Sequence, residues 1–179
     1  MGIMCAPTRY AAGVLPFFDE GRTILLGKEY RAWSNEFCWG DFGGKLEQNE
    51  TLAECALREA IEETAGTLNI TISQIIDAES RGHYVDMFNK NSGLMYRMYC
   101  ILFEGEKPDI AQFKKNAEIQ NGTHIEKIGW KYFNTRAVIY NRNGYIPTTN
   151  VRLYKPFQKG LNSLKKSSIL SNFRNLPNA

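Results

Sequence analysis

Between Glu50 and Thr64 the chain carries two sets of residues at helical spacing. At about 100° per residue, Ala53, Ala56, Leu57, Ala60 and Ile61 line up as one apolar stripe. Glu59, Glu62 and Glu63 fall in an adjoining sector about 100° wide, since 59 and 63 are one turn apart and 62 lies beside them. The alanines predict a helix packed closely on a sheet, its back buried and its carboxylates turned toward a cleft. Gly43-Gly44 just before it permits a tight turn and a close approach of backbone to ligand. Asn49 is the expected cap. Carboxylates crowded one turn apart repel each other by a few tenths of a kcal/mol per pair. A divalent cation relieves that repulsion. Magnesium prefers oxygen ligands and often sits between protein carboxylates and substrate phosphates.

The segments around this helix read as a mixture of strands and helices. Tyr10–Phe18 predicts a first strand, Asp19-Glu20-Gly21 a turn, and Thr23–Gly27 a paired strand. Tyr30–Phe37 reads as a polar, aromatic connection. Leu68–Ile76 and Arg81–Phe88 contain strand-like segments, and Asn89–Gly93 is a hairpin turn leading into the strand Leu94–Glu104. A short helix is expected at Ile110–Ala117, a strand at Ile125–Phe133, and a C-terminal helix with a tail from Val151 to Asn175. Strands interrupted by helices imply an α/β or α+β sandwich.

A chain of 179 residues with 43% hydrophobic side chains suits one domain with a sizeable core. No apolar stretch is long enough to span a bilayer, and the start MGIMCAP lacks signal-peptide character, so a cytoplasmic protein with no membrane partner is expected. Cys5, Cys38, Cys55 and Cys100 are scattered without a C-x-x-C pair, as reduced thiols would be. The net charge of +3 is unevenly spread. Ten basic and no acidic residues lie between Lys127 and Ala179, leaving 12 of the 22 basic residues and all 19 acidic ones in residues 1–126. Such asymmetry suits a polyanionic partner or substrate beside the basic segment. A solubilising surface explains it equally well.

Gly44, Glu50, Arg58, Glu59, Glu62 and Glu63, within GGKLEQNETLAECALREAIEETAG, resemble the signature of the Nudix hydrolases, G-x5-E-x7-R-E-u-x-E-E-x-G-u with u apolar. One position departs: Ala65 stands where the signature has glycine, and Gly66 follows one place late. The resemblance implies an α/β (α+β) sandwich, with a mixed sheet packed between helices. It also implies a Nudix hydrolase domain over residues 1–150 and a basic C-terminal helix and tail, 151–179, packed on the same domain. Family members hydrolyse a nucleoside diphosphate linked to another group by water attack on phosphorus. Bound Mg²⁺ (Mn²⁺ is the alternative) neutralises charge and activates the water, and a carboxylate takes the proton.

By the same resemblance Glu59, Glu62 and Glu63 are metal-site carboxylates, and one of them also acts as base. Gly43 offers its backbone carbonyl to the metal. Arg58 orients a carboxylate with Glu50 as its partner, and Glu118 and Glu126 are candidates for a further ligand. Tyr84, Lys45 and Trp39 are candidate substrate-binding residues. Core packing is the alternative for Tyr84, Trp39 and Trp130. The expected partner is a small nucleotide diphosphate derivative, with capped RNA and inositol pyrophosphates as alternative substrates and a homodimer left open. A catalytically silent domain that binds nucleotide or RNA is the rival of another class. All three box carboxylates are retained, which favours the enzyme.

Overall fold

The computed structural model describes residues 6–32, 34–120 and 126–173. Seven strands form one sheet: β1 (Arg9–Phe18), β2 (Thr23–Arg31), β3 (Glu36–Gly40), β4 (Phe42–Lys45), β5 (Tyr84–Asn89), β6 (Leu94–Leu102) and β7 (Lys127–Asn134). The helices are α1 (Leu52–Glu63), α2 (Ile72–Ser80), α3 (Ile110–Ile119), α4 (Thr135–Ile139), α5 (Lys155–Lys166) and α6 (Ile169–Asn172). The path β3-β2-β1-β6-β5 is extended by β4 on β1 and by β7 on β2. β1 and β6 run parallel, while the other pairings are antiparallel, so the sheet is mixed. This is the α/β sandwich expected from the sequence.

Alternation along β1 divides the core. Ala12 and Val14 join Ala53, Ala56 and Ala60 of α1 in a cluster that also takes in Ile75 of α2 and Phe113 of α3. Leu15 and Phe17 point the other way, into a cluster closed by Val138 and Ile139 of α4 and by Phe157, Leu161 and Leu164 of α5. Helices thus cover both faces, with α1 and α5 on opposite sides. The alanine stripe lets α1 lie directly on β1 and β4.

Several elements depart from the expected ones. The connection expected at Tyr30–Phe37 is shorter, because β2 runs on to Arg31 and β3 starts at Glu36. Tyr30 and Phe37 are cross-strand partners with rings 5.2 Å apart. Leu68–Ile76 is not strand-like, since α2 begins within it. Thr71 accepts from the Gln74 amide and the Gln74 side chain accepts from the Thr71 amide, a capping box that starts a helix where the apolar run suggested a strand. The cap of α1 is Thr51 rather than Asn49, again through a capping box, here with Glu54. Asn49 instead takes a left-handed turn at φ 68°. The expected strand Ile125–Phe133 begins at Lys127, and Ile125 lies outside the described residues. At the helix exit, Ala65 and Gly66 both have positive φ, 51° and 65°. Ala65 therefore adopts the backbone that glycine would adopt freely, and Asn116 of α3 donates to its carbonyl at 3.2 Å.

The basic segment, 127–179, is divided between the two faces of the sheet. Lys155, Lys159, Lys165 and Lys166 belong to α5, on the sheet face opposite α1. Arg152 is ion-paired with Glu36, and Lys127 is buried. Arg174 lies outside the described residues. Among the described residues no helix is long and apolar enough to cross a membrane.

The capping box predicts a specific stability effect. Thr51→Ala should lower unfolding free energy by about 1 kcal/mol, while Thr51→Ser should stay near wild type. Urea denaturation of the two variants checks this, and equal loss in both would mean that the threonine methyl, not the hydroxyl, matters.

Candidate metal and catalytic site

The site forms where α1 crosses the start of β4. Gly13 of β1 pairs with Gly43 of β4, and neither position has room for a side chain. A Cβ on Gly43 would lie 2.6 Å from the Gly13 Cα and 2.2 Å from the Tyr96 hydroxyl. At Gly44 a Cβ would meet Glu59 Oε1 at 2.2 Å. The Gly13–Gly43 pair therefore lets β1, β4 and Tyr96 approach closely, and Gly44 lets Glu59 of α1 rest directly against β4.

Arg58 organises the helix side. Its Nε and Nη2 donate to the two oxygens of Glu50 at 2.7 and 3.1 Å, a fork-on-fork pair. Nη1 reaches Glu59 at 2.9 Å and Glu62 at 3.2 Å, and Nη2 also donates to the Lys45 carbonyl at 3.0 Å. Glu50 Oε2 in turn accepts from the Glu47 amide at 2.9 Å, which ties the loop to the helix. The guanidinium holds Glu50 below the usual carboxylate range. Lys45 enters the site through its backbone, and the residue is otherwise exposed.

Glu63 occupies the deep end. The Gly43 amide donates to its Oε2 at 2.7 Å, and Lys127 Nζ lies 3.3 Å from its Oε1. Lys127 is also 3.0 Å from Glu29 Oε2, and Glu29 is ion-paired with Arg31 through its other oxygen. Carboxylate oxygens of Glu29, Glu63 and Glu126 all lie within 4.8 Å of one another. Burial pushes the Glu63 carboxyl up to about 8, against the pull of Lys127 and the Gly43 amide. Burial raises Glu59 too, opposed by Arg58. Asp41, between β3 and β4, is raised by burial while accepting from the Tyr96 hydroxyl at 2.6 Å. The repulsion expected among the box carboxylates is thus met by two protein cations, Arg58 on Glu59 and Glu62, and Lys127 on Glu63.

The family model for the NUDIX domain matches residues 7–140. The chain belongs to the NUDIX family. No curated protein matches it. Among solved structures it resembles a bifunctional NMN adenylyltransferase/ADP ribose pyrophosphatase from Francisella tularensis at 17% identity, TM-score 0.57, covering 92% of this chain and 42% of that one. It is similar to a MutT protein from Methanosarcina mazei Go1 at 16% identity, TM-score 0.54, covering 91% and 96%. An Ap4A hydrolase from C. elegans matches at 19% identity, TM-score 0.50, covering 91% and 99%. The chain therefore spans less than half the length of the Francisella protein, and these identities speak for the fold alone.

The NUDIX fold brings Glu59, Glu62, Glu63, Arg58, Gly43 and the Lys45 backbone together, with Glu126 at the edge of the group. The other candidates lie elsewhere. Trp39 packs edge-on against Phe133 in the α5-side cluster. Tyr84 lies under the Arg97 guanidinium at 3.9 Å and beside Tyr99. Trp130 is core, stacked on Phe113, and its Nε1 donates to the Glu63 carbonyl at 2.8 Å, anchoring the end of α1. Glu118 is exposed on α3.

Glu29 and Lys127 were missed as site residues. Glu29 had a signal: it shares the parity of Leu25 and Gly27, so a charge falls on an inward position of β2. Lys127 had none, because a bulge at Lys28/Glu29 changes its register with β2.

Without a divalent cation, the folded state retains protons that the unfolded chain has released. Unfolded carboxyls titrate near about 4, whereas Glu63 titrates near 8 when folded. Stability should fall as pH rises between those values, and Glu63→Gln should flatten the fall. Urea unfolding in EDTA across that range measures it, and identical slopes in variant and wild type would contradict the burial argument.

Proposed function

We propose that the chain is a divalent-cation-dependent pyrophosphohydrolase acting on a nucleoside diphosphate joined to a further group. The carrying observation is the placement of Glu63 and Glu59 against Gly43 and Gly44 of β4, with Arg58 holding Glu59 and Glu62 together. The donors are carboxylate oxygens on a sequence that retains all three box glutamates, which suits a hard ion such as Mg²⁺, with Mn²⁺ as the alternative. When bound, such an ion supplies charge neutralisation at the pyrophosphate and a more acidic attacking water.

The chain's own residues do the rest. Arg58 fixes Glu59 and Glu62 in a shared orientation. Glu62, with a side chain 35% exposed against 15% for Glu59 and 3% for Glu63, is the carboxylate most open to a ligand arriving from solvent. The burial that raises Glu59 and Glu63 gives both the proton affinity that a base needs near neutral pH. ADP-ribose and Ap4A, named for two of the matched structures, are nucleotide derivatives with phosphoanhydride links and head the substrate panel. Capped RNA drops in rank, because the lysines of α5 that favoured it lie across the sheet from α1. The silent, nucleotide-binding reading keeps one supporting observation, the two protein cations already seated on the carboxylates.

A panel of dNTPs, ADP-ribose, dinucleoside polyphosphates, capped RNA and inositol pyrophosphates, assayed with Mg²⁺ or Mn²⁺, tests the reading. Turnover of a nucleotide diphosphate derivative is expected, and Glu62→Gln should lower it by about two orders of magnitude or more with the fold intact. Nucleotide binding without turnover on the whole panel would support the silent domain instead. Millimolar Mg²⁺ should also raise the unfolding midpoint of the wild type over that in EDTA, since it binds the folded state. Identical midpoints would count against a preformed metal site.

A further inference from the structure

Lys127 is fully engaged inside the carboxylate group. Its side chain is 2% exposed, and its ammonium contacts Glu29 at 3.0 Å and Glu63 at 3.3 Å. The fold makes specific room for it. A Cβ on Gly27 would lie 2.7 Å from Lys127 Cδ and 2.9 Å from Cγ, so the aliphatic stem fills the space that a side chain at Gly27 would take. A bulge in β7, with Ile128 as the extra residue opposite Lys28/Glu29, brings Lys127 into register with Glu29. Lys127 thus brings one ammonium between the carboxyl groups of Glu29 and Glu63, and Glu126 adds a third carboxyl group within reach.

We propose that the Lys127 ammonium is a resident cation that takes the place of a divalent ion between Glu29 and Glu63. The site consequently binds one divalent ion fewer than its carboxylates would otherwise hold. This rests on the reading that the box carboxylates bind divalent cations. The physical reason is exclusion. An ammonium is a compact point charge with three donors. A divalent ion coordinated by the same carboxylate oxygens would sit within about 2–3 Å of those oxygens, face to face with that ammonium in a buried setting where water screens little. Both cations cannot use the Glu29–Glu63 gap together. Glu59 and Glu62, on the Arg58 side, remain for the ion that serves the substrate.

The test counts Mn²⁺ ions on the full chain by isothermal titration and by loss of the free Mn²⁺ electron paramagnetic resonance signal. Lys127→Gln should bind one more Mn²⁺ per chain than the wild type. Glu29→Gln/Lys127→Gln should lose that additional ion, because it removes one of the ion's ligands. If Lys127→Gln is unfolded in EDTA, recovery of its far-ultraviolet circular dichroism on adding Mn²⁺ is the same result, with the ion standing in for the ammonium. No recovery overturns the proposal. If wild type and a folded Lys127→Gln bind Mn²⁺ equally, or the variant binds less, Lys127 merely braces the ligands and the inference fails while the metal reading stands. If the wild type binds none and Lys127→Gln binds one, the inference holds and the metal-dependent function of the wild type fails. Binding in neither overturns both.

Discussion

The carboxylate of Glu63 is withdrawn from water at the end of α1, and much of the site follows from what must then surround it. A buried charge costs several kcal/mol unless it is paired and hydrogen-bonded, and removing one partner of such a pair costs about 3–5 kcal/mol. Glu63 meets that demand with the Gly43 amide on one oxygen and Lys127 on the other. Lys127 is buried in turn and needs Glu29, which needs Arg31. A chain of obligations therefore runs from α1 through β4 and β7 to β2. Four elements distant in sequence share one electrostatic requirement, which fixes where the helix ends relative to the sheet.

Close packing makes that arrangement possible. Glycines face each other across β1 and β4, Ala53, Ala56 and Ala60 form the underside of α1, and Gly27 leaves room for the lysine stem. A side chain at Gly44 would push Glu59 off β4, and one at Gly43 would collide with Gly13 and Tyr96. The Arg58–Glu50 fork works from the opposite side, holding the loop before α1 against its second turn. The three glutamates are thus pre-oriented by the protein, two through a guanidinium and one through an ammonium. Their mutual repulsion is compensated internally as well as by any ion they bind.

The two sheet faces divide the labour. The α1 face carries the charged residues just described. The α5 face is a second hydrophobic core, and its basic helix turns its lysines to solvent. The charge asymmetry of the sequence is real, but it spreads over separate surfaces. Arg152 is taken up by Glu36 and Lys127 by Glu29 and Glu63.

Local pattern was enough to determine the mixture of strands and helices and the helix bearing the carboxylates, because these rest on spacing within about twenty residues. Helical periodicity and backbone sterics act at that range. The start of α2 is also legible in the Thr71–Gln74 capping box, although the apolar run beside it suggests a strand. The pairing of Arg58 with Glu50 came from the family resemblance, and the turn expected at Gly43-Gly44 is instead part of strand β4, paired with β1. Tertiary structure alone decided the rest. Trp39, Tyr84 and Trp130 could each have faced a ligand or a core, and only the packing of the two layers assigns them. Glu29 and Lys127 lie almost a hundred positions apart, and a bulge sets their register. Their partnership is a long-range electrostatic fact with no local signature: whether a lysine is a solvent-exposed charge or a buried counter-ion depends on what the fold closes over it.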